Sequence, residues 1–225
     1  MKQSLTLLFA VIMNFALSAQ TISLNDGWQF TQKNQNKWYE AEVPGSVQRD
    51  LIRHGVLPDP YYGTNENEVQ WPEMEDWDFR KSFTVSTEQL NHDDAVLFFE
   101  GLDTHADVFL NGSRVLQTQN MFVGHKVSVK NALREGENDL YIRFYSPITR
   151  MDPARITFGH EYPADNDHSE QRLSVYNRKA PYHFGWDWGM RLVQMGIWKP
   201  VSLTFYDKAR IDDFFVKQNN VNQQV

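Results

Sequence analysis

From residue 20 onward, short segments of alternating apolar and polar residues follow one another along the chain. Leu140, Ile142 and Phe144 are separated by single residues of the opposite face, and the segment from Val201 to Tyr206 repeats the pattern. Because successive side chains of a strand point to opposite faces, this alternation predicts strands with one buried face. The predicted strands are Ile22–Phe30, Lys37–Val43, Phe79–Val85, Ala95–Glu100, Ala106–Leu110, Arg114–Thr118, His125–Val129, Asp139–Tyr145 and Val201–Tyr206.

The connections between these strands carry turn residues. Asn111 and Gly112 stand between two of the strands, and both tolerate the positive φ angles that a tight hairpin requires. Apart from a short helix over Ser46–His54, almost no helix is expected. Many short strands joined by tight turns predict an all-β sandwich or jelly roll rather than a parallel α/β sheet.

The first 19 residues have the layout of a secretory signal peptide. Lys2 precedes an apolar run from Leu5 to Leu17, and small residues follow up to Ala19. The run is shorter than the ~20 apolar residues that a membrane span needs. We therefore expect a protein exported to the periplasm or the medium, with no membrane span; the alternative is a buried helix. The chain has no cysteine, so an exported form would be held together without disulfides.

Charge and motifs exclude several classes of function. The formal net charge is −7 and the basic residues are scattered, which argues against nucleic acid as a partner. No nucleophile elbow, phosphate-binding loop or dinucleotide fingerprint is present, so no cofactor is expected. His160, His168 and His183 lie near Asp167 in sequence but lack the spacing of a metal motif, and no metal site is predicted.

Two long stretches interrupt the strand pattern, from Pro44 to Asp78 and from Pro147 to Met195. Long connections in a compact domain commonly carry function. Each holds an acidic run, which we interpret as solvated loop surface. The first run is Glu73, Glu75, Asp76 and Asp78, and the second is Glu161, Asp165, Asp167 and Glu170.

The most distinctive segment runs from Tyr176 to Gly189 and ends in Phe184-Gly185-Trp186-Asp187-Trp188-Gly189. An aromatic wall beside a carboxylate suits a sugar, because the ring's CH face packs on an indole while its hydroxyls donate to the acid. The alternative is a Trp-rich corner packed under the sandwich, with Asp187 hydrogen-bonded locally.

Several motifs together resemble a known family. The run from Phe99 to Gly112 resembles the strand and hairpin of the sugar-binding-like N-terminal domain of glycoside hydrolase family 2. Arg178-Lys179, the Trp-Asp-Trp-Gly run and Gly196-Ile197-Trp198-Lys199-Pro200-Val201 are similar to its β-mannosidase branch in particular. Met190 departs from the proline that many relatives would have there. Further matches are Gly27-Trp28, Val43-Pro44-Gly45 and Asp59-Pro60-Tyr61-Tyr62-Gly63.

The resemblance implies a galactose-binding-like jelly-roll sandwich over residues 20–207, followed in 208–225 by a linker and the first strand of an immunoglobulin-like domain. That strand would be Ala209–Gln218; the alternative is a terminal sandwich strand with a frayed tail. The family's two catalytic glutamates lie on a (β/α)₈ barrel outside this chain, so no catalytic residue is expected here. The expected partners are that C-terminal barrel and a mannose-containing oligosaccharide.

The resemblance also implies a substrate-binding role for part of the distinctive segment. Asp187 would accept hydrogen bonds from sugar hydroxyls and Trp186 would supply an apolar wall, within an exo-acting, retaining β-mannosidase. Arg178 is a weaker candidate, as a charge that positions Asp187, and Asp103 is another, with a hairpin-capping role as its alternative. The rival functions are a non-catalytic carbohydrate-binding module and a related β-galactosidase or β-glucuronidase.

Overall fold

A computed structural model describes residues 19–211 and 213–218 of the chain. Ten strands form two antiparallel sheets, one of four strands and one of six, with the core between them. The strands are β1 Gln20–Ser23, β2 Trp28–Gln32, β3 Tyr39–Ala41, β4 Trp77–Val85, β5 Asp94–Phe99, β6 His105–Leu110, β7 Ser113–Gln119, β8 His125–Ser128, β9 Gly136–Tyr145 and β10 Val201–Tyr206. The predicted all-β sandwich is confirmed.

The six-stranded sheet has the order β3-β2-β4-β9-β6-β7. Its central pair is β4 and β9, which face each other from Trp77 opposite Phe144 to Val85 opposite Gly136. The alternation that predicted β9 is explained by this position, since Leu140, Ile142 and Phe144 are fully buried and their neighbours face outward.

The four-stranded sheet has the order β1-β10-β5-β8 and covers the other side of the core. Val201, Leu203 and Phe205 of β10 point inward and are buried, as the sequence predicted. The first and last strands pair side by side, with Ile22 opposite Leu203.

The single strand predicted over Ile22–Phe30 is wrong. The chain forms β1 in one sheet, turns at Gly27 with φ +75°, and forms β2 in the other sheet. The crossing is fixed by the Trp28 indole, whose Nε1 donates to the carbonyl of Leu24 at 2.7 Å. Alternation continues on both sides of the turn, so the pattern alone does not show that the strand changes sheets.

Among the described residues, three α-helices lie in the connections between strands. Helix α1, Val47–Arg53, begins at the N-cap Ser46 where the sequence predicted a helix, and α2, Thr87–Leu90, begins with a capping box at Ser86. Helix α3, Pro147–Phe158, is a correction to the expectation of irregular structure from Pro147 onward. Short 3₁₀ helices lie at Asn65–Asn67, Trp71–Met74, Lys130–Ala132, Ser174–Tyr176 and Pro181–Phe184.

Local chemistry explains why α3 forms without an amphipathic stripe. The Ser146 hydroxyl accepts from the backbone N–H groups of Ile148 and Thr149, and Pro147 occupies the first helical position. Gly159 ends the helix in a left-handed conformation. Only the first turn of α3 is buried, so its remainder carries no periodic apolar signal.

The predicted hairpin at Asn111-Gly112 is confirmed, since it joins β6 to β7 and both residues have positive φ. The strand predicted over 209–218 is not formed by the residues described there, 209–211 and 213–218, and its place in a following domain stays a prediction. The signal peptide predicted over 1–19 lies, except for its last residue, outside the described residues. Within the described part of the chain, no helix is long and apolar enough to cross a membrane.

Candidate functional site

The two long stretches singled out in the sequence meet at one end of the sandwich. The side-chain amide of Gln48 donates to the carbonyl of Val193 at 2.7 Å, and the backbone N–H of Val47 donates to the carbonyl of Met195 at 2.8 Å. Further out, the amide of Gln70 donates to the carbonyl of Arg191 at 2.8 Å. The first stretch therefore supports the second along most of the loop that returns to β10.

A tight turn displays the aromatic residues and the carboxylate. Trp186 and Gly189 exchange both backbone hydrogen bonds, at 3.1 and 3.2 Å, and Asp187 lies at the tip. The indoles of Trp186 and Trp188 are 43% and 86% exposed, and they stand edge to face with centroids 6.1 Å apart. The Trp-rich corner is thus not packed under the sandwich; its carboxylate and both indoles reach the surface.

Gly185 allows this turn to approach the preceding loop. Its φ is +111°, and an added Cβ would lie 2.8 Å from the backbone oxygen of Asn166. Any other residue would therefore combine an unfavourable backbone with a clash against backbone.

Two cavities flank the turn, and the residues that line both are Glu66, Trp186, Trp188, Gly189 and Met190. The first, of about 940 Å³, is mainly apolar and adds Tyr61, Tyr182 and Leu192 to its walls. The second, of about 600 Å³, is more polar and contains Asp187, Gln70, His168 and Arg191. The second cavity therefore brings the Asp187 carboxylate together with both indoles.

Arg191, two residues after the turn, bridges two buried carboxylates and so fixes the chain that leaves the turn. Its Nη1 donates to Glu73 and, at 3.1 Å, to the side-chain oxygen of Gln70, while its Nε lies 3.5 Å from Asp167. Asp167 also accepts from the backbone N–H of Ser174 at 3.0 Å. Burial raises the pKa of the Glu73 carboxyl above its usual value, against the effect of Arg191.

These contacts correct part of the interpretation of the acidic runs as solvated loops, while Glu161, Asp165 and Glu170 are exposed as predicted. Glu73 and Asp167 are buried in the Arg191 bridge. Asp78 is buried as well, on the outer face of the six-stranded sheet, where Arg143 donates to it through two nitrogens at 2.7 and 3.0 Å. Such pairing satisfies carboxylates that burial would otherwise penalise.

Asp103 lies beneath the turn, and its contact with substrate stays a prediction. Its side chain is 3% exposed and lines neither cavity that flanks the turn. Both carboxylate oxygens accept from Nζ of Lys179, at 2.6 and 2.5 Å, and the Lys179 side chain is 0% exposed. Its hairpin-capping alternative is not observed, since the carboxylate accepts from Lys179 and Thr104.

The side chain of Arg178 is exposed, and the contact that Arg178 makes with a neighbouring segment is through its backbone. Its carbonyl accepts from the N–H of Met121 at 3.0 Å. No ion pair between Arg178 and Asp187 occurs among the described residues, so the predicted positioning of Asp187 by Arg178 is not observed. The neighbouring Lys179 is the buried one.

Known proteins resemble this chain closely enough to define its family. The model described as "Glycosyl hydrolase 2 galactose-binding domain-like" matches residues 28–199. This chain belongs to that family. The resemblance noted in the sequence is confirmed, and the matched range contains both cavities and the turn between them.

Several relatives of this glycosyl hydrolase 2 chain are named as β-mannosidases. Beta-mannosidase B of Thermothelomyces thermophilus is 38% identical over 200 residues, covering 87% of this chain and 23% of the relative. A probable beta-mannosidase of Caenorhabditis elegans is 31% identical over 204 residues, covering 86% and 22%. The chain therefore spans about a quarter of the length of the curated relatives it matches.

Solved structures give the same family picture. The β-D-mannosidase of Dictyoglomus thermophilum is 41% identical, with a TM-score of 0.82, over 90% of this chain and 24% of that one. A β-D-glucuronidase from the same organism has a TM-score of 0.56 at 16% identity, over 91% of this chain and 31% of that one, and shares the fold.

Within this family domain, sequence reasoning missed the residues that hold the turn in place. Lys179 is buried and Arg191 is 12% exposed, and Tyr61 and Tyr182 extend the apolar wall. The sequence signal available for Lys179 was its place as a basic residue within the largely aromatic segment from Tyr176 to Gly189. No group of three or more metal-ligating side chains is found among the residues that the structure describes.

Proposed function

We propose that this chain is the sugar-binding N-terminal part of a β-mannosidase that removes terminal, non-reducing β-D-mannose. The observation that carries the proposal is the Trp186-Asp187-Trp188 turn, which exposes two indoles between two cavities and a carboxylate in one of them. It is supported by family membership and by relatives named β-mannosidases.

The chemistry of the turn suits recognition of a sugar. The oxygens of the Asp187 side chain would accept hydrogen bonds from two adjacent hydroxyls, while the face of Trp186 would pack on the apolar side of the ring. The bound ring would keep its glycosidic oxygen toward the barrel, which we propose supplies the catalytic glutamates outside the described residues.

Cleavage in the complete enzyme would proceed by double displacement. This mechanism needs two carboxyl groups about 5–5.5 Å apart, one acting as acid and the other as nucleophile. Glu73 and Asp167 do not suit this task, because both are buried and engaged by Arg191. The domain described here would bind and orient the sugar and leave bond cleavage to the barrel.

The test uses the full-length protein that contains this chain. Wild type should hydrolyse an aryl β-D-mannoside in preference to the galactoside and the glucuronide. Asp187→Asn should lower kcat/KM for the mannoside by about 10- to 150-fold, since each charged hydrogen bond is worth about 1.5–3 kcal/mol. The matched control is Asp165→Asn, an exposed aspartate of the neighbouring loop that lines neither cavity.

Each outcome has a clear meaning. Unchanged kinetics in Asp187→Asn would remove Asp187 from the site. Mannose binding without hydrolysis by the full-length wild type would favour the carbohydrate-binding module instead. Preference for the galactoside or glucuronide would place the protein with another specificity of the family.

We further propose that the protein is exported to the periplasm or the medium. The support is the sequence of residues 1–19, with Lys2 before an apolar run and small residues at its end.

A further inference from the structure

The loop that displays Trp186 and Asp187 is closed at its base by a single ammonium group. Lys179 stands at the start of the loop, and its Nζ donates to the carbonyl of Gln194, where the loop returns, at 2.6 Å. The same Nζ donates to both carboxylate oxygens of Asp103, at 2.6 and 2.5 Å. Its three donors therefore join the two ends of the loop to a third segment.

That third segment belongs to the sandwich frame. Asp103 lies between β5 and β6, and it exchanges both backbone hydrogen bonds with Gly196, each at 2.9 Å. Gly196 in turn packs against the entry to α1, where an added Cβ would meet Cα of Ser46 at 3.0 Å. The main chain of Asp103 is thus fixed by Gly196, and Gly196 is itself packed against the N-cap of α1.

His183 extends the contact to the cavity wall. Its Nδ1 lies 3.7 Å from Oδ2 of Asp103, and its ring lines the larger cavity beside Trp186. Its carbonyl accepts from the backbone N–H of Leu192 at 2.9 Å, across the loop. A shift of Lys179 or Asp103 would therefore be transmitted to both sides of the turn.

Stability alone does not account for a buried charge pair at this place. Removing two charges from water costs free energy, and apolar side chains of similar volume stabilise a fold equally well or better. Directional hydrogen bonds from one ammonium to three oxygens fix relative positions that apolar contacts leave free.

We propose that the buried Lys179–Asp103 pair is a positioning device that sets the geometry of the Trp186-Asp187-Trp188 turn. Neither residue contacts the sugar; both act through the ends of the loop. The predicted effect of the pair on sugar binding rests on the proposed function.

The test replaces the pair with neutral side chains of similar size in the full chain. Lys179→Met alone should lower the melting temperature strongly, because Asp103 is left buried and uncompensated. The double variant Asp103→Asn/Lys179→Met should recover most of that loss. Circular dichroism then reports on the turn, because two indoles 6.1 Å apart at 81° couple their electronic transitions.

In the double variant we expect this coupling signal to fall by at least half. Trp188→Phe in the wild-type background supplies the baseline without coupling. The matched control is Asp78→Asn/Arg143→Met, a charge pair on the outer face of the six-stranded sheet, which should leave the signal unchanged.

A second readout tests the consequence for the sugar. In the full-length protein, the double variant should raise KM for an aryl β-mannoside about tenfold or more, because misplacing a binding group by about 1 Å can cost up to about 100-fold. A purely structural role would leave KM unchanged once the melting temperature had recovered.

The coupling signal is measured without sugar, so the two proposals fail separately. A reduced signal in a protein that neither binds nor cleaves mannoside would support the positioning role and overturn the proposed function. An unchanged signal in the folded double variant would overturn the positioning role. If neither this variant nor Asp103→Leu/Lys179→Met folds, the pair serves the fold itself and the proposal is likewise overturned.

Discussion

Removal of the Arg191 guanidinium is the perturbation whose energetic effect the structure defines best. Arg191→Met keeps much of the side chain's volume and its contact over the ring of Phe184, but it leaves two buried carboxylates facing each other without a cation. Asp167 keeps its backbone and Ser169 donors. Glu73 loses its main partner, so the cost falls mainly on Glu73.

The expected loss of unfolding free energy depends on pH. Removing one partner of a buried pair costs about 3–5 kcal/mol. Glu73 can avoid part of this by taking up a proton, and that costs about 1.4 kcal/mol for each pH unit above its ordinary pKa of 4.5. The loss should therefore be about 3–4 kcal/mol at pH 7.5 and about 1–2 kcal/mol at pH 5.

The sign follows from proton linkage. A carboxyl whose pKa is raised in the folded state binds more protons there than in the unfolded chain, so stability falls as pH rises through that interval. The pKa of Glu73 is already raised by burial, and removing Arg191 raises it further. The variant should lose stability with rising pH more steeply than wild type.

Urea unfolding of both proteins at pH 5 and pH 7.5 measures these quantities. Arg49→Met is the matched control, because Arg49 forms an exposed pair with Glu42 and its loss should cost about 1 kcal/mol or less at either pH. A loss below about 1 kcal/mol at pH 7.5, or an equal loss at the two pH values, would refute the reasoning.

Two further predictions concern His183 and the N-terminus. Burial and the nearby Lys179 lower the pKa of His183 to about 4, so the folded protein binds fewer protons than the unfolded chain below pH 6.5 and loses stability on acidification. Acidification from pH 7.5 to 5 should therefore cost wild type about 2 kcal/mol more than His183→Gln in urea unfolding; equal losses would show that His183 titrates normally. If export occurs, N-terminal sequencing of the mature protein should begin close to Gln20, and an intact Met1 or Lys2 in the mature protein would contradict it.

Alternation predicted most of the strands because each has one buried face. It identified β9 and β10 from three inward residues each. The same rule failed where burial does not repeat along an element. Helix α3 buries only Pro147 and Ile148, and its start is decided by the Ser146 hydroxyl, which no periodicity reports.

The chemistry of the exposed turn was predictable from composition, but the buried contacts that fix the turn in place were not. Trp186 and Asp187 stand out because an aromatic-acid cluster is unusual wherever it folds. Lys179 and Arg191 take their roles from partners 76 and 118 residues away in sequence. Asp103 shows the same limit: its side chain has the chemistry to bind a sugar, but the fold buries it against Lys179.

The pairing of β10 with β5 has a consequence for how the domain emerges during synthesis. Phe99 pairs with Val201 and Ala95 with Phe205. Roughly 100 further residues must therefore be synthesised before β5 can pair with β10. At about 5–20 residues per second, the wait lasts roughly 5–20 s. During that time, one edge of a strand that carries Leu97 and Phe99 has no partner and is open to pairing with other chains. This exposure to aggregation therefore lasts while the loop that displays Trp186 and Asp187 is being translated.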